Sequence, residues 1–359
     1  METLYRLSYW GERRPRIHRT AGPHEIGLGT VVAVPTTPRT EPAPGAAPPV
    51  VAPPAGDMGE LLGEIPDTLP AELAETVLAV PELIGPDDSF YRLIDRSLGE
   101  RGGVEVRREH VDSTRWTAGP WDPLAQHGGP PAALLGRAVS ALPGPDGVTM
   151  TVSRLTVDLL GPIPVAPLTV SARVLRPGRT VDLVEAELVD PQQGRPVARG
   201  TAWRAPLTVD GPLSTDPGEP APPGPAQGYE APWPASWHGG YLDAMRWAWV
   251  SGSMQPGPAV VWMQPLVHLV DDEPWTPLTR VLVSADSANG ISAAVDPAAY
   301  SFLNTELTVH VTRPLRGDWV GLSARTVLGG GSVGATRATI WDGDGVVGAS
   351  AAALLVQRR

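Results

Sequence analysis

The sequence contains no cysteine, and it contains no lysine either, because all 28 basic residues are arginine. The first absence excludes disulfides, thiolate metal ligands and a cysteine nucleophile. The second excludes a Walker A loop, a pyridoxal phosphate Schiff base and any lysine base or nucleophile. These absences remove several large classes of enzyme before any motif is considered.

Positive charge and long hydrophobic runs are also scarce. The net charge of −11 and the lack of a basic run argue against nucleic acid or an anionic membrane as partner. No segment reaches the roughly 18 consecutive apolar residues that predict a membrane helix. Residues 1–20 lack the apolar stretch of an export signal. We therefore expect a cytoplasmic protein.

Proline is abundant, with 42 residues, and it is concentrated in two stretches. The prolines between residues 35 and 54 predict an extended segment. We therefore expect residues 1–87 to be a largely disordered N-terminal arm and a candidate docking segment for a protein partner. The second stretch, residues 206–235, predicts a linker between two folded regions, 88–205 and 236–359.

The two folded regions resemble each other at a constant spacing of 152 residues. Leu-Thr-Val at 155–157 recurs at 307–309, and Ser-Ala-Arg at 171–173 recurs at 323–325. These identities fall on strand-like segments and indicate a tandem duplication of one unit. Duplication within one chain can replace the homodimer that a single unit would need. The pattern leaves open whether such chains form a homo-oligomer.

Each unit is predicted to begin with a helix of small residues, which antiparallel strands then follow. The first helix is predicted over 128–138, where prolines after a glycine pair are typical of a helix start. The second is predicted over 286–295. Alternating polarity predicts strands at 165–175, 180–189, 319–327 and 335–340, with hairpin turns at 190–194 and 342–345. The predicted fold class is α+β, a tandem (double) hotdog in which each sheet wraps a central helix.

Motifs in both units carry a family resemblance. The first unit has Trp-Thr-Ala-Gly-Pro-Trp-Asp-Pro at 116–123 and Gln-His-Gly-Gly-Pro-Pro-Ala-Ala-Leu-Leu at 126–135. The second has Asp-Ser-Ala-Asn-Gly at 286–290 and Asn-Thr-Glu-Leu-Thr-Val-His at 304–310. Together they resemble the acyl-CoA thioesterase II-like (TesB-like) superfamily, whose actinobacterial members have double hotdog folds. The resemblance covers about residues 88–359 and says little about the substrate.

The resemblance implies hydrolysis of an acyl-CoA or acyl-carrier thioester by an activated water, without metal or other cofactor. It implies Asp286 as the base. The family's threonine falls on Asn304, with Thr305 beside it. The family's glutamine on the last strand is replaced by alanine, around residues 352–353. The candidate substitutes for that glutamine are Gln126 and Gln357.

The residue types support this chemistry, although some of them have a second interpretation. A carboxylate that is partly desolvated among small residues becomes a better base, but an aspartate at a helix start also acts as a cap. His127 is a candidate for binding the substrate or its pantetheine arm, or for packing. Free N–H groups at a helix start stabilise developing negative charge. The candidate donors are Gly128, Gly129, Asn289 and Gly290.

Cations and aromatic rings complete the set of candidate binding groups. The phosphates of CoA need arginine here, since lysine is absent. The candidate phosphate ligands are Arg137, Arg173 and Arg325. The candidate lining residues of an acyl tunnel are Trp116, Trp121, Trp262 and Trp319.

Two other functions remain open. The missing glutamine and the N-terminal arm fit a catalytically impaired hotdog protein that binds an acyl ligand or a partner. Hotdog folds also host enoyl-CoA hydratases, but the Asp-x-Asn-Pro-x-His pattern is absent from this sequence.

Overall fold

The computed structural model describes residues 85, 88–101, 104–207, 215, 220–234, 237–253 and 256–359. The predicted arm lies outside the described residues apart from Gly85, so its disorder and its docking role stay predictions. The predicted linker is described only in part.

The described residues form a sheet of fourteen strands and three α-helices. The N-terminal half contributes β1 (Ser89–Arg101), β2 (Val104–Ser113), α1 (Gly129–Ser140), β3 (Met150–Leu159), β4 (Pro167–Arg176), β5 (Asp182–Asp190) and β6 (Arg195–Pro206). The C-terminal half contributes β7 (Met245–Ser251), β8 (Ala259–Pro265), β9 (His268–Val270), α2 (Pro277–Ala285), α3 (Ala288–Ile291), β10 (Tyr300–Asn304), β11 (Glu306–Val311), β12 (Val320–Leu328), β13 (Val333–Asp342) and β14 (Gly345–Arg358).

The two halves meet where β3 pairs with β11 in antiparallel fashion. Outward from this junction, one half runs β3-β6-β5-β4-β2-β1 and the other runs β11-β14-β13-β12-β8-β7. Thr156 lies directly opposite Thr308, which is 152 residues away, and their hydroxyl oxygens are 3.1 Å apart. A pseudo-twofold axis therefore passes through this pair, and the repeat that the sequence predicts is confirmed. The small strand β10 pairs with β14 outside this order, and β9 pairs in parallel with β1.

The prediction that each unit begins with a helix is wrong. The hairpin of β1 and β2 precedes α1, and the hairpin of β7 and β8 precedes α2. The first hairpin is hard to recognise because charged residues dominate it, and its apolar side chains Ile94 and Leu98 are exposed. The alternation of apolar and polar residues that predicts a half-buried strand is therefore not evident in β1 and β2.

The first helix is confirmed. Of the second, only the short α3 lies within the predicted range 286–295, and the longer α2 precedes that range. The observed α2 begins after Thr276, whose hydroxyl accepts a hydrogen bond from the Thr279 N–H, and Pro277 occupies its first turn. These are ordinary start signals for a helix. Asp286 stands at the C-terminal end of α2. The helix α3 begins after Ser287, which is its N-cap residue. The interpretation of Asp286 as a helix-start cap is therefore wrong.

The helices pack together inside the sheet. Leu134, Leu135 and Leu282 are fully buried between α1, α2 and the strands. Gly136 allows the close approach of the two helices, since a Cβ there would lie 2.1 Å from Leu282 Cδ1. The four predicted strands and both predicted hairpin turns are confirmed to within a few residues. No helix among the described residues is long and apolar enough to cross a membrane.

Candidate active site

A cavity of about 500 Å³ lies at the start of α1, the end of α2 and the break between β10 and β11. Seven of the predicted site residues line it: His127, Gly128, Asp286, Asn289, Gly290, Asn304 and Thr305. The eighth, Gly129, packs against α2 instead, where a Cβ would lie 2.3 Å from the Val283 carbonyl oxygen. Residues from both halves of the chain therefore meet at one cavity.

Asp286 is the most tightly held side chain of the cavity wall. It is buried, with 5 % of its surface exposed. Its Oδ1 accepts a hydrogen bond of 2.6 Å from the Asn304 side-chain amide. Its Oδ2 lies 3.1 Å from Nδ1 of His127. Both oxygens of the carboxylate thus have a protein partner.

The His127 ring is fixed by stacking. It lies flat on the Tyr241 ring, with centroids 3.8 Å apart and planes at 7°. Tyr241 is held in turn by a hydrogen bond from its hydroxyl to the Val283 carbonyl oxygen. Burial lowers the pKa of His127 from its ordinary 6.5, and the charge of Asp286 opposes that shift. The ring is therefore neutral at neutral pH.

Nδ1 of His127 has two neighbours and can use only one at a time. The Gly129 N–H donates to it over 3.1 Å when Nδ1 carries no proton. When Nδ1 carries the proton, it donates to Asp286 Oδ2. The second arrangement leaves Nε2 without a proton.

The glycine pair at 128–129 is required because neighbouring atoms leave no space for a side chain at either position. A Cβ on Gly128 would lie 2.7 Å from Asp286 Oδ1, so a side chain there would displace the carboxylate. Pro130 and Pro131 follow in the first turn of α1 and have no N–H to offer. Gly128 therefore carries the N–H that is left for a ligand at this helix start. On the other side, Asn289 Oδ1 already accepts the Gly290 N–H at 2.9 Å.

The rest of the cavity wall is apolar and rich in tryptophan. The aromatic lining consists of Trp121, Trp233, Trp237, Trp247, Trp249 and Phe302. Of the four predicted tunnel residues only Trp121 belongs to it. Trp116 lies in the main core, and Trp262 and Trp319 belong to a separate cluster on the far strands. The aromatic wall therefore comes mainly from β7 and from residues 233 and 237.

Several other predicted groups are engaged elsewhere. Gln126 lines the cavity, but its amide donates to the Pro164 carbonyl and its oxygen accepts from the Tyr91 hydroxyl. Gln357 is exposed and does not line the cavity. The Thr305 hydroxyl is directed to the Ala353 carbonyl oxygen, 3.4 Å away. Of the two predicted positioning residues, Asn304 and Thr305, only Asn304 forms a hydrogen bond with Asp286.

The candidate phosphate ligands differ in availability. Arg137 is committed to Glu109 and Glu273, and Arg173 is paired with Glu185 at 2.7 Å. Arg325 is exposed and has no carboxylate partner among the described residues. Only Arg325 remains a candidate, and it does not line the cavity.

Besides five of the six aromatic lining residues, the sequence analysis missed two hydroxyl-bearing residues next to His127 and Asp286. They are Tyr241 and Ser287, whose hydroxyl oxygens are 3.0 Å apart. A signal for Tyr241 was present, because His-Gly-Gly at 238–240 directly before it repeats the motif at 127–129.

Comparison with known families agrees with this geometry. The model of the acyl-CoA thioesterase N-terminal domain matches residues 117–205, and that of the acyl-CoA thioesterase C-terminal domain matches residues 217–356. Together they span more than half of the chain. The chain belongs to the acyl-CoA thioesterase family. As a member of that family it is a thioesterase-like hydrolase.

Several solved structures share the fold of this acyl-CoA thioesterase family member. A proposed thioesterase II from Thermobifida fusca is 19% identical, with 74% of this chain and 96% of that one covered and a TM-score of 0.59. A hot dog fold protein of unknown function from Alicyclobacillus acidocaldarius is 20% identical, with 73% and 96% covered and a TM-score of 0.55. The acyl-CoA thioesterase II TesB2 from Mycobacterium marinum is 14% identical, with 79% and 98% covered and a TM-score of 0.50. These likenesses confirm the double hotdog fold. No curated protein matches the chain.

Proposed function

We propose that this chain hydrolyses acyl-CoA thioesters carrying a fatty or aryl acyl group, and that the carboxylate of Asp286 activates the attacking water. One observation carries the proposal. Asp286 is buried in the wall of an apolar cavity, with the Asn304 amide on one oxygen and the His127 imidazole on the other. A carboxylate held in this way is suited to support proton removal from water.

The cavity offers the other elements that thioester hydrolysis requires. The tryptophan-rich wall suits an apolar acyl group, because burying apolar surface stabilises binding. Gly128 packs closely against Asp286. Its N–H suits the carbonyl oxygen, on which negative charge develops in the transition state. The carrier, whether CoA or a carrier protein, would remain outside the cavity.

The test is release of free thiol from a panel of acyl-CoA esters, with Asp286→Asn beside the wild type. This substitution keeps the shape of the side chain and removes its charge. We expect wild-type turnover to fall by about 10²-fold or more in the variant. Asp318→Asn is the matched control, because Asp318 is exposed and lies outside the cavity, and its rate should equal that of the wild type.

Each of the other outcomes overturns the proposal. Background rates in both proteins would indicate an acyl-binding protein without turnover. Loss of the crotonyl-CoA double bond, followed by its absorbance, would indicate a hydratase. Equal turnover by wild type and Asp286→Asn would show that the carboxylate does not take part.

A further inference from the structure

The aromatic wall of the cavity is a continuous series of ring contacts. Trp121 packs edge-to-face against Trp237 and against Phe302, with ring centroids 5.4 Å apart in each case. Trp237 also contacts Trp233 at 6.1 Å, and Trp233 meets Trp247 edge-to-face at 5.0 Å. All of these side chains line the cavity. Because neighbouring rings meet at steep angles, the wall is built from both ring edges and ring faces.

Both ends of this series reach the polar cluster. At one end the Tyr241 ring contacts the series edge-to-face at 6.3 Å, and it stacks on His127, which lies beside Asp286. At the other end Phe302 lies two residues before Asn304 in β10, so the two side chains share one face of the strand. Asn304 donates to Asp286. An acyl group held by the aromatic wall therefore has its carbonyl carbon near the carboxylate.

The charged groups of the cavity exclude an anionic acyl group. No arginine lines the cavity in the part of the chain that the structure describes, and the sequence has no lysine. The carboxylates among the lining residues are those of Asp122 and Asp286. A carboxylate or phosphate on the acyl group would therefore meet like charge and no cation, so the acyl group is neutral.

We propose that the acyl group for which this cavity is built is a neutral aryl group rather than a linear fatty chain. This inference rests on the proposed function and names the substrate class of the same site. Aromatic rings attract one another through a negative face and a positive edge, and this attraction adds to the effect of buried area. An aryl group can use both the edges and the faces of the wall, whereas an alkyl chain gains only from its buried area.

Size and conformational freedom favour the same class. A cavity of about 150 Å³ is enough to hold benzene, and the volume here is about 500 Å³. An aryl ring and the thioester group therefore fit together. A linear chain gives up the freedom of each carbon–carbon torsion on binding, whereas a ring has no such freedom to lose.

The test compares kcat/KM among acyl-CoA esters with the same number of acyl carbons. They are 3-phenylpropanoyl-CoA, 3-cyclohexylpropanoyl-CoA and nonanoyl-CoA, with palmitoyl-CoA as a long-chain member. The cyclohexyl ester has the carbon skeleton of the phenyl ester without its π electrons. In both, the ring is two carbons away from the thioester, so the reacting group is alike. We expect the phenyl ester to exceed each of the others by about 5-fold or more.

Variants of Trp237 test whether the wall is the source of this preference. Trp237→Leu removes a ring that contacts two others and keeps an apolar side chain, so the ratio of phenyl to cyclohexyl ester should fall by about 2-fold or more. Trp237→Phe restores a ring and should keep most of the ratio. Trp319→Leu is the matched control, because Trp319 is also half-buried but belongs to the cluster on the far strands. Its ratio should equal that of the wild type.

The outcomes that contradict this inference differ from those that contradict the proposed function. If the wild type hydrolyses the cyclohexyl, nonanoyl or palmitoyl ester as well as the phenyl ester, the inference is wrong and the proposed function stands. An unchanged ratio in a folded Trp237→Leu also contradicts it, and thermal unfolding identifies a variant that fails to fold. The wild-type ratios need no variant.

If the wild type releases no thiol from any ester, the proposed function fails. Binding of the same esters, followed by quenching of tryptophan fluorescence, then decides the inference. Tighter binding of the phenyl ester than of the cyclohexyl ester, by about 5-fold or more, supports an aryl site. Equal dissociation constants contradict it.

Discussion

The two halves of the molecule share a backbone plan but contribute different chemistry to the site. The helix α1 contains no acidic residue, so the N-terminal half has no counterpart of Asp286 on its helix. That half instead contributes His127 and Gly128. The site is therefore composite, and neither half contains it alone.

The halves also differ in how equivalent strand pairs are held together. In the N-terminal half Asp182 lies opposite Arg204, with a buried ion pair of 2.7 Å. The equivalent pair in the C-terminal half is Gly334 opposite Leu354, which is apolar. The sheet geometry thus tolerates both solutions. A buried ion pair is not intrinsically more stabilising than apolar packing, but it is costly to break.

Among the substitutions that compare the two halves, we expect Arg204→Met to have the largest effect on the free energy of unfolding. The guanidinium is fully buried and donates to Asp182 and to the carbonyl oxygens of Val139 and Leu142 near the end of α1. Its removal leaves a buried carboxylate without its partner, so we expect the free energy of unfolding to fall by about 3–5 kcal/mol. Urea unfolding measures it.

The matched control lies at the equivalent position of the other half. Leu354→Met keeps a buried apolar side chain of similar volume and should cost less than about 1.5 kcal/mol. If the two substitutions cost the same, the two strand pairs are not held by different forces and the comparison fails.

The contact between the two halves at the site has a smaller effect on the free energy of unfolding, and this effect depends on pH. His127 of one half faces Asp286 of the other, and burial lowers the pKa of His127 below 6.5 in the folded protein. Below about pH 6.5 the unfolded chain therefore binds a proton that the folded chain does not. The free energy of unfolding should fall with falling pH in this range, by at most about 1.4 kcal/mol per pH unit.

Urea unfolding of wild type and His127→Gln between about pH 5.5 and 7.5 isolates this contribution. The slope in this range should be smaller in the variant. An identical slope in both proteins would show that His127 titrates alike in the folded and unfolded chain, contrary to its burial.

The repeat and the helix-start motif could be predicted because local patterns carry them. Identities spaced by 152 residues predicted two equivalent units, and the sheet confirms this with Thr156 opposite Thr308. The glycine pair and the prolines after it predicted the start of α1. Both features depend on short segments whose conformational preferences agree with the final fold.

What could not be predicted depends on contacts between distant segments. Tyr241 joins the site only because it stacks on His127, which is 114 positions earlier in the sequence. The helix α2 was missed because the small residues at 286–290 were interpreted as a helix start, whereas its start signals at 276 and 277 lie ten residues earlier. Strands β1 and β2 were missed because their charged side chains hide the pairing.

The smallest expected effect concerns one charge on the outer face of the sheet. In the N-terminal half Arg173 lies opposite Glu185 and is ion-paired with it. At the equivalent pair of the C-terminal half Arg325 lies opposite Arg337, and neither has a carboxylate partner among the described residues. Like charges directly opposite each other are destabilising. Arg337→Glu should therefore raise the free energy of unfolding by about 0.2–1 kcal/mol.

The salt dependence of this gain distinguishes a charge effect from a change in packing. Arg337→Gln is the control, because it removes the repulsion without adding an attraction and should give a smaller gain than the glutamate. The difference between the two variants should shrink at about 1 M salt, where exposed charges are screened within roughly 3 Å. If Arg337→Glu and Arg337→Gln have the same free energy of unfolding at low salt, the introduced glutamate forms no stabilising ion pair with Arg325. The C-terminal half then cannot reproduce the Arg173–Glu185 pair at this position.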